Sequence, residues 1–229
     1  MRRCMAGALG IWLLAGATLV AADFWEEKDF TAWSDEEVQV MLTASPWTRN
    51  VTILTGVRGD AGPGDAGDDL FRPGTAPHRF GGGTFSLAPQ ADVTVAWSSA
   101  LPVKQALVRR AFGLVSPIPH EGQQMLAFED PFYAVTVVGL PPSFDGLGLR
   151  KDAIRAATML ARRGRAPLAP ENILVFADGA MRVTFQFPKT DPITLDDGVV
   201  EFMTTLGPGA DIRTRFELEA MIVNGRLEL

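Results

Sequence analysis

The chain has 229 residues, 47% of them hydrophobic, with 21 basic residues against 27 acidic for a formal charge of −6. That balance repels phosphate backbones and anionic lipid, and the densest basic run, Arg162-Arg163-x-Arg165, is too short to offset it, so nucleic acid and membrane surfaces are excluded as expected partners. The apolar fraction suffices for a core and the length suits one large domain or two small ones, which excludes a chain disordered throughout.

Residues 1–22 read as a secretory signal peptide: Arg2 and Arg3, an apolar run from about Ala6 to Val20, then Val20-Ala21-Ala22 before Asp23. The run is at or below the roughly 17–25 residues that a spanning helix needs, so cleavage near Ala22 is expected rather than an uncleaved anchor. Cleavage also removes Cys4, the single cysteine, leaving no thiol nucleophile, thiolate ligand or disulfide. Cys4 precedes the apolar run, where a lipid-modified cysteine would follow it. Loss of Arg2 and Arg3 takes the formal charge to about −8. An exported domain of this size that folds without disulfides suits a bacterial periplasm or envelope, and no later segment is apolar enough for a stable membrane span.

Residues 23–229 read as a single α+β domain. Ser34 three residues before Glu37 is a capping box, and Trp33 with Val38 forms a hydrophobic staple. A helix is therefore expected from about Asp35 to Ala44, with Pro46 marking its end. Asn50–Val57 alternates like a strand, and its Asn50-Val51-Thr52 sequon reads as chance. Residues 58–90 are rich in Gly, Pro and Asp and read as a long flexible loop.

Ala91–Ser98 alternates cleanly, with Val93, Val95 and Trp97 on one side. Ser98 or Ser99 is expected to cap a helix over Leu101–Phe112 that stops at Gly113. Strands are expected at Met125–Phe128 and Phe132–Leu140, and a helix at Arg150–Arg163 with Ala153, Ile154, Ala157, Leu160 and Ala161 on one face. The last third reads as strands: Asn172–Phe176 and Met181–Phe187 around the hairpin signal Asp178-Gly179, then Val199–Thr205 and Ile212–Val223. Asn224-Gly225 turns the chain into a short final strand. The fold class is α+β: one antiparallel or mixed sheet with about three helices packed on it.

Chemical motifs are sparse. There is no Gly-x-Ser-x-Gly elbow, phosphate loop, dinucleotide fingerprint or His-Glu-x-x-His. Zinc would need both His78 and His120 with loop carboxylates, and His120 reads as a solvated loop residue. A serine triad would need one of the same two histidines as its base. Asp60, Asp65, Asp68 and Asp69 offer oxygen ligands, but their spacing fits no calcium loop. Asp191, Asp196, Asp197 and Glu201 form a second acidic cluster, usable as paired carboxylates in a hydrolase but equally readable as turn formers. No metal and no cofactor is expected. Trp25, Trp33 and Trp47 are the candidate binding residues, since indoles stack on sugars or anchor partners. The alternative is that they fasten the N-terminal helix to the sheet, and Trp33 already has a staple role.

Phe24-Trp25-Glu26-x-Lys28, Trp33-Ser34-x-x-Glu37, Met41-Leu42, Ser45-Pro46-Trp47 and Trp97-x-Ser99-Ala100-Leu101-Pro102-Val103 recur with Phe187-Pro188-Lys189-Thr190, Ile193-Thr194 and Glu201-Phe202. Together they resemble a group of uncharacterised exported proteins abundant in acidobacteria. Some longer members carry a domain named for a Gly-Trp-x-Thr-Asp (GWxTD) motif, which this chain lacks. The resemblance implies export and one continuous domain, and it brings no activity or catalytic residues. The expectation from sequence is an exported, non-enzymatic binding or interaction protein whose partner is another envelope protein or a small ligand. Its rival is an exported hydrolase using loop carboxylates and His120.

Overall fold

The computed structural model describes residues 24–55, 89–177 and 179–229. The leader with Cys4, most of the Gly/Pro/Asp-rich segment with its four aspartates and His78, and Asp178 of the hairpin signal lie outside the described residues. Among the described residues the chain forms five α-helices and ten strands, and every strand pair is antiparallel, an α+β fold. No described helix is long and apolar enough to cross a membrane.

The helices are α1 (Phe24–Glu27), α2 (Asp35–Thr43), α3 (Leu101–Phe112), α4 (His120–Ala127) and α5 (Lys151–Ala156). Where one sheet is expected from sequence, the described residues form three. The largest has strand order β1-β2-β3-β6-β5, built from Thr48–Leu54, Gln90–Trp97, Phe132–Leu140, Met181–Pro188 and Asn172–Phe176. The second, β4-β7-β8, joins Met159–Arg162, Val199–Thr205 and Asp211–Glu217. The third is the small ribbon β9 (Ile222–Val223) with β10 (Arg226–Leu227).

The two larger sheets share one core. In β2, β3 and β6 the residues Val95, Trp97, Val135, Val137, Val183, Phe185 and Phe187 are sealed from solvent. From the smaller sheet come Leu160, Val200, Phe202, Ile212 and Phe216. Ring pairs bridge the sheets, with Trp97 and Phe216 centred 5.3 Å apart and Phe185 and Phe202 5.4 Å apart. Each such side chain contributes about 1.5–3 kcal/mol when fully buried, so this interface is the main source of stability. The sheets are also stitched along β1, where the Leu54 N–H donates to the Gly209 carbonyl at 3.1 Å and Arg49 Nε donates to the Arg215 carbonyl at 3.0 Å.

Four sequence expectations are corrected by tertiary context. Arg150–Arg163 is not one helix: α5 ends at Ala156 and β4 follows. Thr158 marks the break, its hydroxyl bonding the Ile154 carbonyl at 2.6 Å and meeting the Thr204 hydroxyl at 2.7 Å. Beyond it Leu160 and Arg162 are buried in alternation, and pairing with β7 overrides helix propensity. Met125–Phe128 is not a strand, because Met125 to Ala127 form the second half of α4. Gly122 admits that helix, since a Cβ there would lie 2.7 Å from Ile118 Cγ2.

Neither Ser98 nor Ser99 caps α3. Its N-cap is Ala100, while the Ser99 hydroxyl accepts the Ala134 N–H at 3.0 Å and the Ser98 hydroxyl meets that of Thr136 at 2.8 Å. The strand expected over Ile212–Val223 breaks after Glu217 into a 3-10 turn, Leu218–Met221, whose two end residues are both sealed in the core.

Several other local signals match the structure among the described residues. The capping box of α2 is complete, with the Glu37 N–H donating to Ser34 Oγ and the Ser34 N–H to Glu37 Oε2. Trp33 and Val38 are both buried beside it. Asn224 and Gly225 both hold positive φ, 49° and 74°, in the two-residue turn that joins β9 to β10.

Candidate functional site

The three tryptophans lie in one aromatic cluster. Phe24 stands edge-on to Trp25 at 5.0 Å and to Trp33 at 5.1 Å, and Trp25 stands edge-on to Trp47 at 5.6 Å. Trp33 and Trp47 are sealed, and the Trp47 indole N–H donates to the Glu228 carbonyl at 2.8 Å. That bond ties the N-terminal segment to the far end of the chain. With both rings enclosed, neither offers a face to a ligand, and Trp25, half-buried, is the one that keeps surface.

The acidic cluster is divided among arginines. Asp191 pairs with Arg162 at 2.5 Å and also with Arg165. Asp197 is buried, pairs with Arg165 at 3.0 Å and accepts the Thr194 N–H at 3.0 Å. Glu201 accepts from Arg213 at 2.8 Å and from Arg215 at 2.9 Å. Bonding to Arg213 first, and then to Arg215, holds its carboxyl down to about 2, so it stays ionised and is poorly suited to donate a proton. Asp196 is exposed.

His120 is exposed at the start of α4, 2.9 Å from Gln124, on an element that packs against α3 rather than against the acids. The structure does not bring the histidine and the carboxylates together. Among the described residues no three of His, Cys, Asp and Glu are grouped to hold a metal ion.

A different site stands out at the C-terminal end of α3. There a pocket of about 120 Å³ is lined by Phe30, Thr31, Val108, Arg109, Phe112, Gly113 and residues 114–116 and 118. Gly113 turns the chain out of the helix with φ +65°, which carries Leu114 and Val115 across the pocket wall. The Phe112 ring and Ile118 both pack close to Gly122 of α4, so both helices shape this wall.

Arg109 is the charged group of the pocket. Its side chain is 5% exposed, and among the described residues Nε has no hydrogen-bond partner and the one ionic partner is Asp35, 4.0 Å from Nη2, with an Asp35 side chain that is 95% exposed. A guanidinium withdrawn from water without matched acceptors forfeits several kcal/mol of solvation, and so loosely held an exposed carboxylate returns little of it. Arg109 is thus a buried cation whose charge is poorly matched. Sequence reading passed over it as part of a scaffold helix. The signal was present: Pro102, Ala106 and Arg109 fall at i, i+4 and i+7, which puts a cation on the buried stripe.

A second, open groove lies between α3 and α4, lined by Ser98, Lys104, Leu107, Glu121, Gln124, Met125 and Phe128. Its cation is already matched, since Lys104 pairs with Asp130 at 2.5 Å and donates to the Phe128 carbonyl at 2.8 Å. No family model, no curated protein and no solved structure matches the chain.

Proposed function

We propose that the protein is an exported, non-enzymatic binding module of the bacterial envelope whose ligand sits in the pocket at the C-terminal end of α3. The observation that carries this reading is Arg109, which lines the pocket and whose buried guanidinium has no hydrogen-bonded acceptor among the described residues. The groups a hydrolase would draw on are otherwise engaged or dispersed. Asp191, Asp197 and Glu201 are held by arginines, and His120 stands on a different element. This favours binding over turnover.

Export rests on the leader, and the likeness to the acidobacterial group points the same way. Phe24 is already buried against Trp25 and Trp33, so a chain cut after Ala22 keeps its aromatic anchor. The partner is a small ligand or an exposed group on another envelope protein, with no role for nucleic acid.

Thermal unfolding of the exported protein over a panel of small organic compounds, beside assays of ester, glycoside and phosphoester hydrolysis, tests the reading. The expected result is a ligand that raises the midpoint by mass action, about 2.7 kcal/mol of stabilisation at a hundred times Kd, with no turnover. Turnover that is lost in His120→Ala or Asp191→Asn would replace it with the hydrolase. An intact mass that retains Met1–Ala22 would overturn the cleavage.

A further inference from the structure

We propose that the pocket at the C-terminal end of α3 takes a short monocarboxylate whose carboxylate pairs with the Arg109 guanidinium, an assignment that rests on the binding reading above. The guanidinium offers a planar fork of donors that matches two carboxylate oxygens, a pairing stronger and more directional than a single neutral hydrogen bond. In this fold the fork is unclaimed: Arg109 has no hydrogen bond among the described residues, and its single ion pair is the 4.0 Å approach of an exposed Asp35.

The last turn of α3 explains why the fold tolerates the charge, since the negative end of the helix dipole favours a cation there. That same dipole opposes an incoming anion, so modest affinity is expected.

The walls choose among oxyanions. Phe30, Phe112, Leu114, Val115 and Ile118 are apolar, and Thr31 and Ser116 carry the hydroxyls beside them. A phosphate dianion entering such a site would lose more hydration than one guanidinium returns, whereas a carboxylate with an apolar tail matches one charge and buries hydrocarbon. Size sets the tail. The pocket of about 120 Å³ is smaller than the engineered cavity of about 150 Å³ known to hold benzene, which fits a chain of about three or four carbons.

Titration of the intact exported protein with butyrate tests this, with butyramide as the uncharged analogue and inorganic phosphate as the rival oxyanion. Butyrate is expected to saturate with Kd of about 1 mM, and butyramide and phosphate to bind about tenfold more weakly or worse. Arg109→Met should abolish butyrate binding. Asp35→Asn, which removes the competing carboxylate, should tighten it by about two- to fivefold. Val115→Trp, which narrows the mouth and leaves Arg109 in place, should weaken it by about tenfold.

Butyramide binding as tightly as butyrate, phosphate outcompeting butyrate, or Arg109→Met retaining affinity would each overturn the assignment. If Arg109→Met does not fold, Asp35→Asn and Val115→Trp decide, and no change in either overturns it. Absence of butyrate binding while another compound stabilises the protein refutes the carboxylate and leaves the binding module standing. Turnover of any substrate refutes the binding module itself.

Discussion

Two buried arginines mark opposite ends of what this fold does with charge. Arg162, on β4, has a side chain with no exposure, yet it reaches the Asp191 carboxylate at 2.5 Å, the Asp191 carbonyl at 3.1 Å and the Ala166 carbonyl at 2.8 Å. Arg109, on α3, is almost as buried and has one exposed carboxylate at 4.0 Å. Nε is unpaired in both, so the difference lies in the terminal nitrogens. Burial alone therefore does not distinguish a structural staple from a poorly matched cation. Satisfaction of the donors does.

The largest effect should come from breaking the satisfied side. Arg162→Met keeps the stem but takes this donor from the Asp191 and Ala166 carbonyls, and the Asp191 carboxylate then depends on Arg165 alone. Removing one partner from such a pair costs about 3 kcal/mol, a large part of the stability of a typical domain. Urea unfolding at neutral pH should show it as a lower midpoint at unchanged slope. A loss under about 1 kcal/mol would mean that the arginine is not a staple and that the comparison fails.

These two arginines also show how far the sequence could be read. Local chemistry was legible wherever the deciding contacts are a few residues apart: the Ser34–Glu37 box, the Gly113 stop and the Asn224-Gly225 turn each do what their residue types dictate. The strand alternation around Val95, Val135 and Val183 was legible because one face of each strand is buried. The helix expected over Arg150–Arg163 was not, because its spacing of apolar residues also fits a strand once β7 supplies the hydrogen bonds. The acids looked like free catalytic candidates because nothing in sequence says that Asp191 will meet Arg162, 29 positions away. Arg109 was overlooked for the converse reason. Its place on the buried stripe was visible, but the absence of a partner is a fact of tertiary structure.

On the unsatisfied side the same substitution should have the opposite sign. Arg109→Met removes a desolvated charge, retains the packing of the stem, and gives up an ion pair with a largely solvated Asp35. Replacement of a poorly compensated buried charge by an apolar side chain is often neutral or stabilising, and about 1 kcal/mol of added stability is expected for the unliganded protein. The same urea measurement decides it. A loss comparable to that of Arg162→Met would make Arg109 a second staple and remove the reason to regard its pocket as a binding site.

The smallest effect tests the exposed end of the scale. Glu201 bridges Arg213 and Arg215, whose side chains are 66% and 70% exposed, and this pairing lowers its carboxyl from the usual 4.5 to about 2. Because the folded value lies below the unfolded one, the stabilisation is complete above about pH 4.5 and is lost as the pH falls toward 2. Solvent screening around the two arginines limits it to at most about 1 kcal/mol. Unfolding measured at pH 5 and at roughly pH 3 should therefore differ less for Glu201→Gln than for the natural chain, with the gap shrinking in high salt. A gap that survives high salt would show that the Glu201 pair is as well shielded from solvent as Arg162 and its partners. The gradation from buried staple to surface bridge would then collapse into one class, with Arg109 standing alone outside it.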